Sequence, residues 1–231
     1  MQALEYFMSI GLRKRFLNLF GMNVQASGAF GAFRRQALLE CGAWDAEIAE
    51  DADISLKMKR AGWKISFAPE AVALTSVPPT LRQLNNQRNH WDRGILRNYY
   101  HKHGDLLKFW QYDWRNATEM ALEYFFSFFL TLFYAAYLVA MLVYDPRLLL
   151  FAFAVCYLMN VVFAFIQAGA AIYLSERRAE EWRLLDVVVL WPLYKAWYRV
   201  LRFKCIVLEM LRINYEIAYL PASAWRNAPR W

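Results

Sequence analysis

Two stretches of this sequence combine residue types that could do chemistry. The first is the acidic run Glu47, Glu50, Asp51 and Asp53, because a carboxylate held at the start of a helix can act as a general base or bind a metal. Asp51-Ala52-Asp53 also spells the Asp-x-Asp pattern that holds a divalent ion on phosphates. A metal-binding pair of that kind is expected at the end of an apolar strand. This one follows Ala46-Glu47-Ile48-Ala49-Glu50 and runs on into helical spacing, so no metal ligand is expected here. The plainer reading is a set of acids that complement a helix dipole, and spacing alone leaves both readings open.

The second stretch is Gln87-Arg88-Asn89-His90-Trp91-Asp92-Arg93-Gly94. At 3.6 residues per turn, Gln87, His90, Trp91 and Gly94 share one helix face, with Arg88 and Arg93 flanking it. Tryptophan offers a flat apolar platform with an N–H donor, suited to stacking on a sugar ring, and neighbouring cations suit phosphate. An aromatic residue on a helix near a membrane is equally at home as packing.

The elements that must position these residues can be read from periodicity. Residues 47–61 carry Ile48, Ile54 and Met58 at helical spacing, with Gly62 as a C-terminal stop. Trp63-Lys64-Ile65-Ser66-Phe67 alternates as a half-buried strand does, Pro69 breaks it, and Val72-Ala73-Leu74 offers a second strand. Val77-Pro78-Pro79 is a loop, after which Leu81 opens a helix expected to reach about His101. Leu107, Phe109, Trp110, Tyr112 and Trp114 crowd a segment expected to lie as a helix in the headgroup layer.

The remainder is dominated by apolar runs. No charge occurs in residues 124–144 or 148–174, against about 20 residues needed to cross a hydrocarbon core. Asp145-Pro146-Arg147 leaves room only for a tight turn, so a membrane hairpin is expected. Residues 184–203 could form a third crossing or an interfacial helix, and Pro192 inside that stretch suggests a kink. Arg177, Arg178 and Arg183 at the returning end place residues 1–120 on the cytoplasmic side by the positive-inside bias. With 59% apolar side chains among 231 residues, a wholly soluble, disordered or disulfide-framed protein is excluded. The start lacks the order of a cleaved leader. The net charge of +7 comes largely from residues 195–231, where bases alternate with apolar side chains as they do at an anionic bilayer surface, so nucleic acid is not the expected partner.

Taken together, Ser27-Gly28-Ala29-Phe30-Gly31-Ala32-Phe33-Arg34-Arg35, Gly42-Ala43-Trp44-Asp45, Glu50-Asp51-Ala52-Asp53-Ile54-Ser55, Ala61-Gly62-Trp63, Pro69 and Gln87 to Trp91 resemble the second half of the catalytic domain of processive family 2 glycosyltransferases. These include the cellulose, chitin, hyaluronan and poly-N-acetylglucosamine synthases. The resemblance implies an α/β nucleotide-sugar transferase fold (GT-A-like), present as a partial domain and followed by transmembrane α-helices. The implied division is an acceptor-side half over residues 1–103, an interfacial helix over 104–120, and a membrane region over 121–231 ending in a basic tail.

The same resemblance assigns roles. Ala49-Glu50-Asp51 falls on the family's Thr-Glu-Asp motif, which makes Asp51 the general base for the acceptor hydroxyl, with Glu50 beside it. Gln87 to Trp91 falls on Gln-x-x-Arg-Trp. Gln87 and Trp91 would then sit by the acceptor sugar, and His90 stands where the family has the arginine that neutralises the departing diphosphate. Arg88 and Arg93 are the alternative cations, and Ser27 and Gly28 complete the substrate-binding set. The implied reaction is inverting transfer from a UDP-sugar to a growing polysaccharide at a bacterial inner membrane. Magnesium or manganese would be held by ligands outside this chain, and a separate N-terminal half or accessory subunit is expected as partner. A transferase acting on a lipid-linked acceptor, and a non-catalytic membrane subunit, are the competing expectations.

Overall fold

The computed structural model describes residues 1–22, 25–45, 48–175 and 177–211. Glu47 and the basic tail beyond Leu211 lie outside the described residues. Among the described residues the chain is helical. The N-terminal rod runs through α1 (Gln2–Tyr6), a π-helical stretch Phe7–Lys14 and α2 (Arg15–Leu19). Then come α3 (Arg35–Glu40), α4 (Glu50–Arg60), α5 (Leu81–Leu96), α6 (Trp114–Glu123), α7 (Leu130–Tyr144), α8 (Pro146–Leu174), α9 (Arg178–Glu181) and α10 (Trp191–Met210).

The expected α/β transferase fold is not what these residues form. No sheet occurs among the described residues, and the sole pairing there is an isolated bridge between Ser27 and Phe30. The alternation over 63–67 is real in one sense: Trp63, Ile65 and Phe67 are half-buried while Lys64 and Ser66 are exposed. An alternating segment becomes a strand only when a neighbour receives its backbone hydrogen bonds. Here the Phe67 amide instead donates to the Asn18 side chain at 3.0 Å, and 72–74 is likewise without a ladder.

The helices follow from local chemistry. Acids Glu50, Asp51 and Asp53 occupy the first turn of α4, and Lys57, Lys59 and Arg60 the last, complementing the helix dipole at both ends. Gly62, with φ of +83°, closes it: its amide bonds the Lys59 carbonyl and the Trp63 amide bonds the Met58 carbonyl, a Schellman stop. Thr80 caps α5 by accepting from the Gln83 amide. Beyond Leu96 the helix continues as the π-helical Arg97–Lys102.

Residues Trp114–Tyr144 and Pro146–Leu174 form two helices long and apolar enough to cross a membrane, with 11% of each apolar window buried against protein. Their turn is fixed by Asp145, whose carboxylate accepts from the Arg147 and Leu148 amides, and by Pro146 at a position where a missing N–H is harmless. Past α9, a 3₁₀ stretch Trp182–Leu190 leads into α10, and Pro192 lies in the first turn of that helix rather than at an internal kink. The N-terminal rod packs Leu4 and Met8 against Ala164 and Ala168 of α8 and against Val188 and Trp191.

The tightest joint is between α5 and the residues that lead into α4. A Cβ on Gly94 would stand 2.6 Å from the Ala49 Cβ and 2.9 Å from Ile48 Cγ2. Gly94→Ala should therefore lower stability by about 1–3 kcal/mol, although alanine is the better helix former. Gly169→Ala in α8, where a Cβ meets nothing within 4 Å, should not. Thermal unfolding in detergent checks the pair, and an unshifted Gly94→Ala would contradict the close approach.

Candidate functional site

Asp51 lies in the first turn of α4 and is gripped from the loop at 25–30. Its Oδ2 accepts from Gln25 Nε2 at 2.9 Å and from the Gly28 amide at 3.0 Å. Ser55, one turn later, donates to the Asp51 carbonyl and accepts from the Ala26 amide at 2.9 Å, tying the same loop to the helix. A Cβ on Gly28 would meet Asp51 Oδ2 at 3.2 Å, so glycine is what lets the backbone come this close. Lys14 donates to the Gln25 carbonyl. Burial pulls its ammonium below the usual lysine value, and the Asp51 charge opposes that shift.

Opposite this loop stands α5. Asn98, fully buried, donates to the Ile48 carbonyl at 2.8 Å and the Ala49 carbonyl at 3.3 Å. Ala49 is held at φ of +56°. His90, Gly94 and Asn98 are spaced at four-residue intervals on one face, so the face that anchors the approach to α4 also carries His90 toward the carboxylate. Burial pulls the His90 imidazole below its usual value, and the Asp51 charge works against that shift.

A cleft of about 1990 Å³ is lined by Ser27, Gly28, Glu50, Asp51, Gln87, His90 and Trp91, along with Tyr198 and Arg202 from α10. Glu50 is exposed there. The buried Gln87 Oε1 has no hydrogen-bond partner among the described residues, leaving an acceptor for a ligand. Trp91 stacks on Tyr6 with ring centroids 6.3 Å apart. Arg88 and Arg93 do not line this cleft. The Arg88 guanidinium pairs with Glu5 at 2.6 Å and lies 4.4 Å from the Trp91 ring centroid, and Arg93 pairs with Glu209 at 2.8 Å.

Asp53 has a different fate. Its carboxylate is buried against His103 Nε2 at 2.7 Å and Lys102 Nζ at 2.8 Å, with Asp45 bridging Lys102 and Lys57 at 2.6 and 2.8 Å. Burial alone would raise the Asp53 value, but the bonds from His103 and Lys102 hold it below the usual carboxylate range. Asp51 and Asp53 thus already have protein donors, and no group of three or more His, Cys, Asp or Glu among the described residues could hold a metal. The Asp-x-Asp carboxylates do not fit a divalent ion. Gln25, Lys14, Lys102 and His103 were not marked by any pattern in the sequence, and Asp45 was marked only within the resemblance, since their partners lie far away along the chain.

Residues 4–166 match the family described as Glycosyl transferase family group 2. The poly-beta-1,6-N-acetyl-D-glucosamine synthase of Staphylococcus aureus (strain COL) is 36% identical over 104 residues, which are 43% of this chain and 25% of that protein. The enzyme of the same name from Staphylococcus epidermidis is 35% identical over 104 residues, with the same shares. The chain thus spans about a quarter of the length of the curated relatives it matches. No solved structure matches it.

The Asp51 charge felt by His90 has a measurable consequence. The imidazole should titrate below its usual value of about 6.5 and be mostly neutral at pH 7. Removing the opposing charge by Asp51→Asn should lower the value further, because that carboxylate favours the protonated ring. NMR titration of the His90 ring in both proteins checks this, and an unchanged or raised value in the variant would contradict the proximity.

Proposed function

The chain belongs to glycosyl transferase family group 2, and on that premise we propose that it carries the acceptor-side machinery of a membrane-bound synthase that extends a polysaccharide from a UDP-sugar. The observation that carries this reading is the convergence of Asp51, His90, Gln87 and Trp91 on one cleft. Asp51 is the base. It takes the proton from an acceptor hydroxyl as that oxygen attacks the anomeric carbon, the bond to the nucleoside diphosphate breaks, and the configuration inverts. The Gly28 amide and Gln25 fix the orientation of the carboxylate for this task. Glu50 is an exposed neighbour at the cleft edge.

Trp91 and Gln87 take the acceptor sugar, the ring by stacking and a hydroxyl by the unpartnered Gln87 Oε1. His90 takes the diphosphate side, with weak charge at neutral pH. Arg88 and Arg93 contribute by holding α5, since Glu5 and Glu209 occupy them. A magnesium or manganese ion on the diphosphate would be held by groups other than Asp51 and Asp53. The relatives are named for a polymer of N-acetylglucosamine, which makes UDP-N-acetylglucosamine the donor of choice. In this reading residues 1–103 are the acceptor-side part, 104–120 lie at the interface, and the rest is membrane region. The apolar hairpin crosses a bacterial inner membrane, and Arg177, Arg178 and Arg183 hold the sugar-transferring part on the cytoplasmic side.

The test places residues 1–103 of this chain in the Staphylococcus aureus synthase in place of its corresponding segment and follows sugar incorporation in membranes. Asp51→Asn in that chimera should reduce polymer formation by about 10²-fold or more while UDP affinity stays nearly unchanged. Retained polymer formation would contradict the assignment of the base. His90→Arg should raise activity and flatten its fall with rising pH, because a permanent cation replaces a titrating one.

A further inference from the structure

A second pocket, of about 630 Å³, lies between the N-terminal rod, the apolar hairpin and α10. Its charges can be accounted for pair by pair. Arg13 is held by Glu123, Arg202 by Asp92, and Glu5 by Arg88 and Tyr194. Lys195 and Arg199 remain, and neither has a carboxylate partner among the described residues. Lys195 lies 5.7 Å from the Trp191 ring centroid and Arg199 4.3 Å from that of Tyr134. Two cations supported only by aromatic rings leave the pocket positively charged.

An independent feature lies on the facing wall. Gln167 is one of two exposed side-chain amides in the mainly apolar α8; Asn160 bonds back to the Cys156 carbonyl, whereas Gln167 lines the same pocket and has no hydrogen-bond partner among the described residues. The stretch from Leu148 to Gln167 is 20 residues, the length that spans a hydrocarbon core. Counted from the turn, Gln167 therefore falls where that core ends, and seven further residues, or about 10 Å, carry the helix through Leu174. Phe16 and Phe126, both exposed, border the opening. The pocket joins two uncompensated cations, a polar amide at ester depth and an apolar mouth.

We propose that this pocket binds the phosphate of an anionic phospholipid, with Lys195 and Arg199 on the phosphate, Gln167 at the glycerol ester and the acyl chains leaving past Phe16 and Phe126. The proposal rests on the reading of the hairpin as membrane-spanning. One monoanionic phosphodiester fits between two cations without exceeding their charge, and its chains supply the apolar surface that a soluble phosphate lacks. Bound lipid would pin α10 to the hairpin, and α10 in turn holds α5 through Glu209 and Arg202.

The full chain in detergent is tested by thermal unfolding with dioleoyl phosphatidylglycerol, dioleoyl phosphatidylcholine or glycerol-1-phosphate. Phosphatidylglycerol should raise the melting temperature by several degrees, and the other two should not. Lys195→Gln with Arg199→Gln should abolish the shift, whereas Lys195→Arg with Arg199→Lys should keep it. Equal shifts from both lipids, an undiminished shift in the glutamine variant, or loss of the shift in the charge-preserving variant would overturn the proposal. An equal shift from glycerol-1-phosphate would assign the site to soluble phosphate esters and overturn the lipid source. Alkaline carbonate extraction of the membrane-expressed chain separates the two readings. Release would overturn the membrane reading and this proposal together, while retention with no preference for phosphatidylglycerol would overturn this proposal alone.

Discussion

The arrangement of the cleft depends on two backbone carbonyls, those of Ile48 and Ala49, to which the Asn98 side-chain amide donates at 2.8 and 3.3 Å. Ala49 sits at a positive φ that alanine adopts reluctantly, so α4 starts without a capping side chain of its own. The cost of that start is offset from outside, by the buried Asn98 amide on the π-helical continuation of α5 and by the absence of a side chain on Gly94. With the start fixed, the first turn of α4 presents Asp51 to the 25–30 loop, and the same face of α5 brings His90 toward it. Loss of the Asn98 amide would take a donor from the Ile48 carbonyl, while the Ala49 carbonyl would keep the Ala52 and Asp53 amides, and the Asp51 carboxylate would be the first group to feel it.

The opposite faces of α5 and its π-helical continuation are tied to the elements beside the apolar hairpin by ion pairs. Arg93 and Arg97 both reach Glu209 of α10, Asp92 receives Tyr198 and Arg202, and Arg88 reaches Glu5 of the N-terminal rod. Buried pairs of this kind contribute less net stability than their Coulomb attraction suggests, because both charges lose their water, but breaking one leaves a charge stranded. They act here to fix the register of α5 between α4 and α10. The packing of Leu4 and Met8 on Ala164 and Ala168 continues this chain into the hairpin. The candidate cleft and the apolar hairpin are thereby placed on a single connected helical frame.

Local signals in the sequence were legible where the physics is local. The helical spacing of Ile48, Ile54 and Met58, the stop at Gly62, the helix from Leu81 and the turn at Asp145-Pro146 all correspond to elements of the structure. The α/β expectation failed at 63–67 and 72–74, because alternation reports which side chains face inward and says nothing about a partner strand. The helical face of Gln87, His90, Trp91 and Gly94 was readable from period. The destinations of Arg88 and Arg93 were not, since Glu5 and Glu209 lie 83 and 116 residues away. Asp53 looked like half of an acidic motif, and only the folded chain brings His103 and Lys102 to it across about 50 positions.

The central claim is that the α5 face and the Asp51 loop act on one object, the first turn of α4. A double-mutant cycle between Asn98→Ala and Asp51→Asn, read as unfolding free energies in detergent, measures this directly. Groups that share one helix start should be non-additive by more than about 0.5 kcal/mol. Additivity within about 0.3–0.5 kcal/mol would show that Asn98 and Asp51 act independently and would contradict the account.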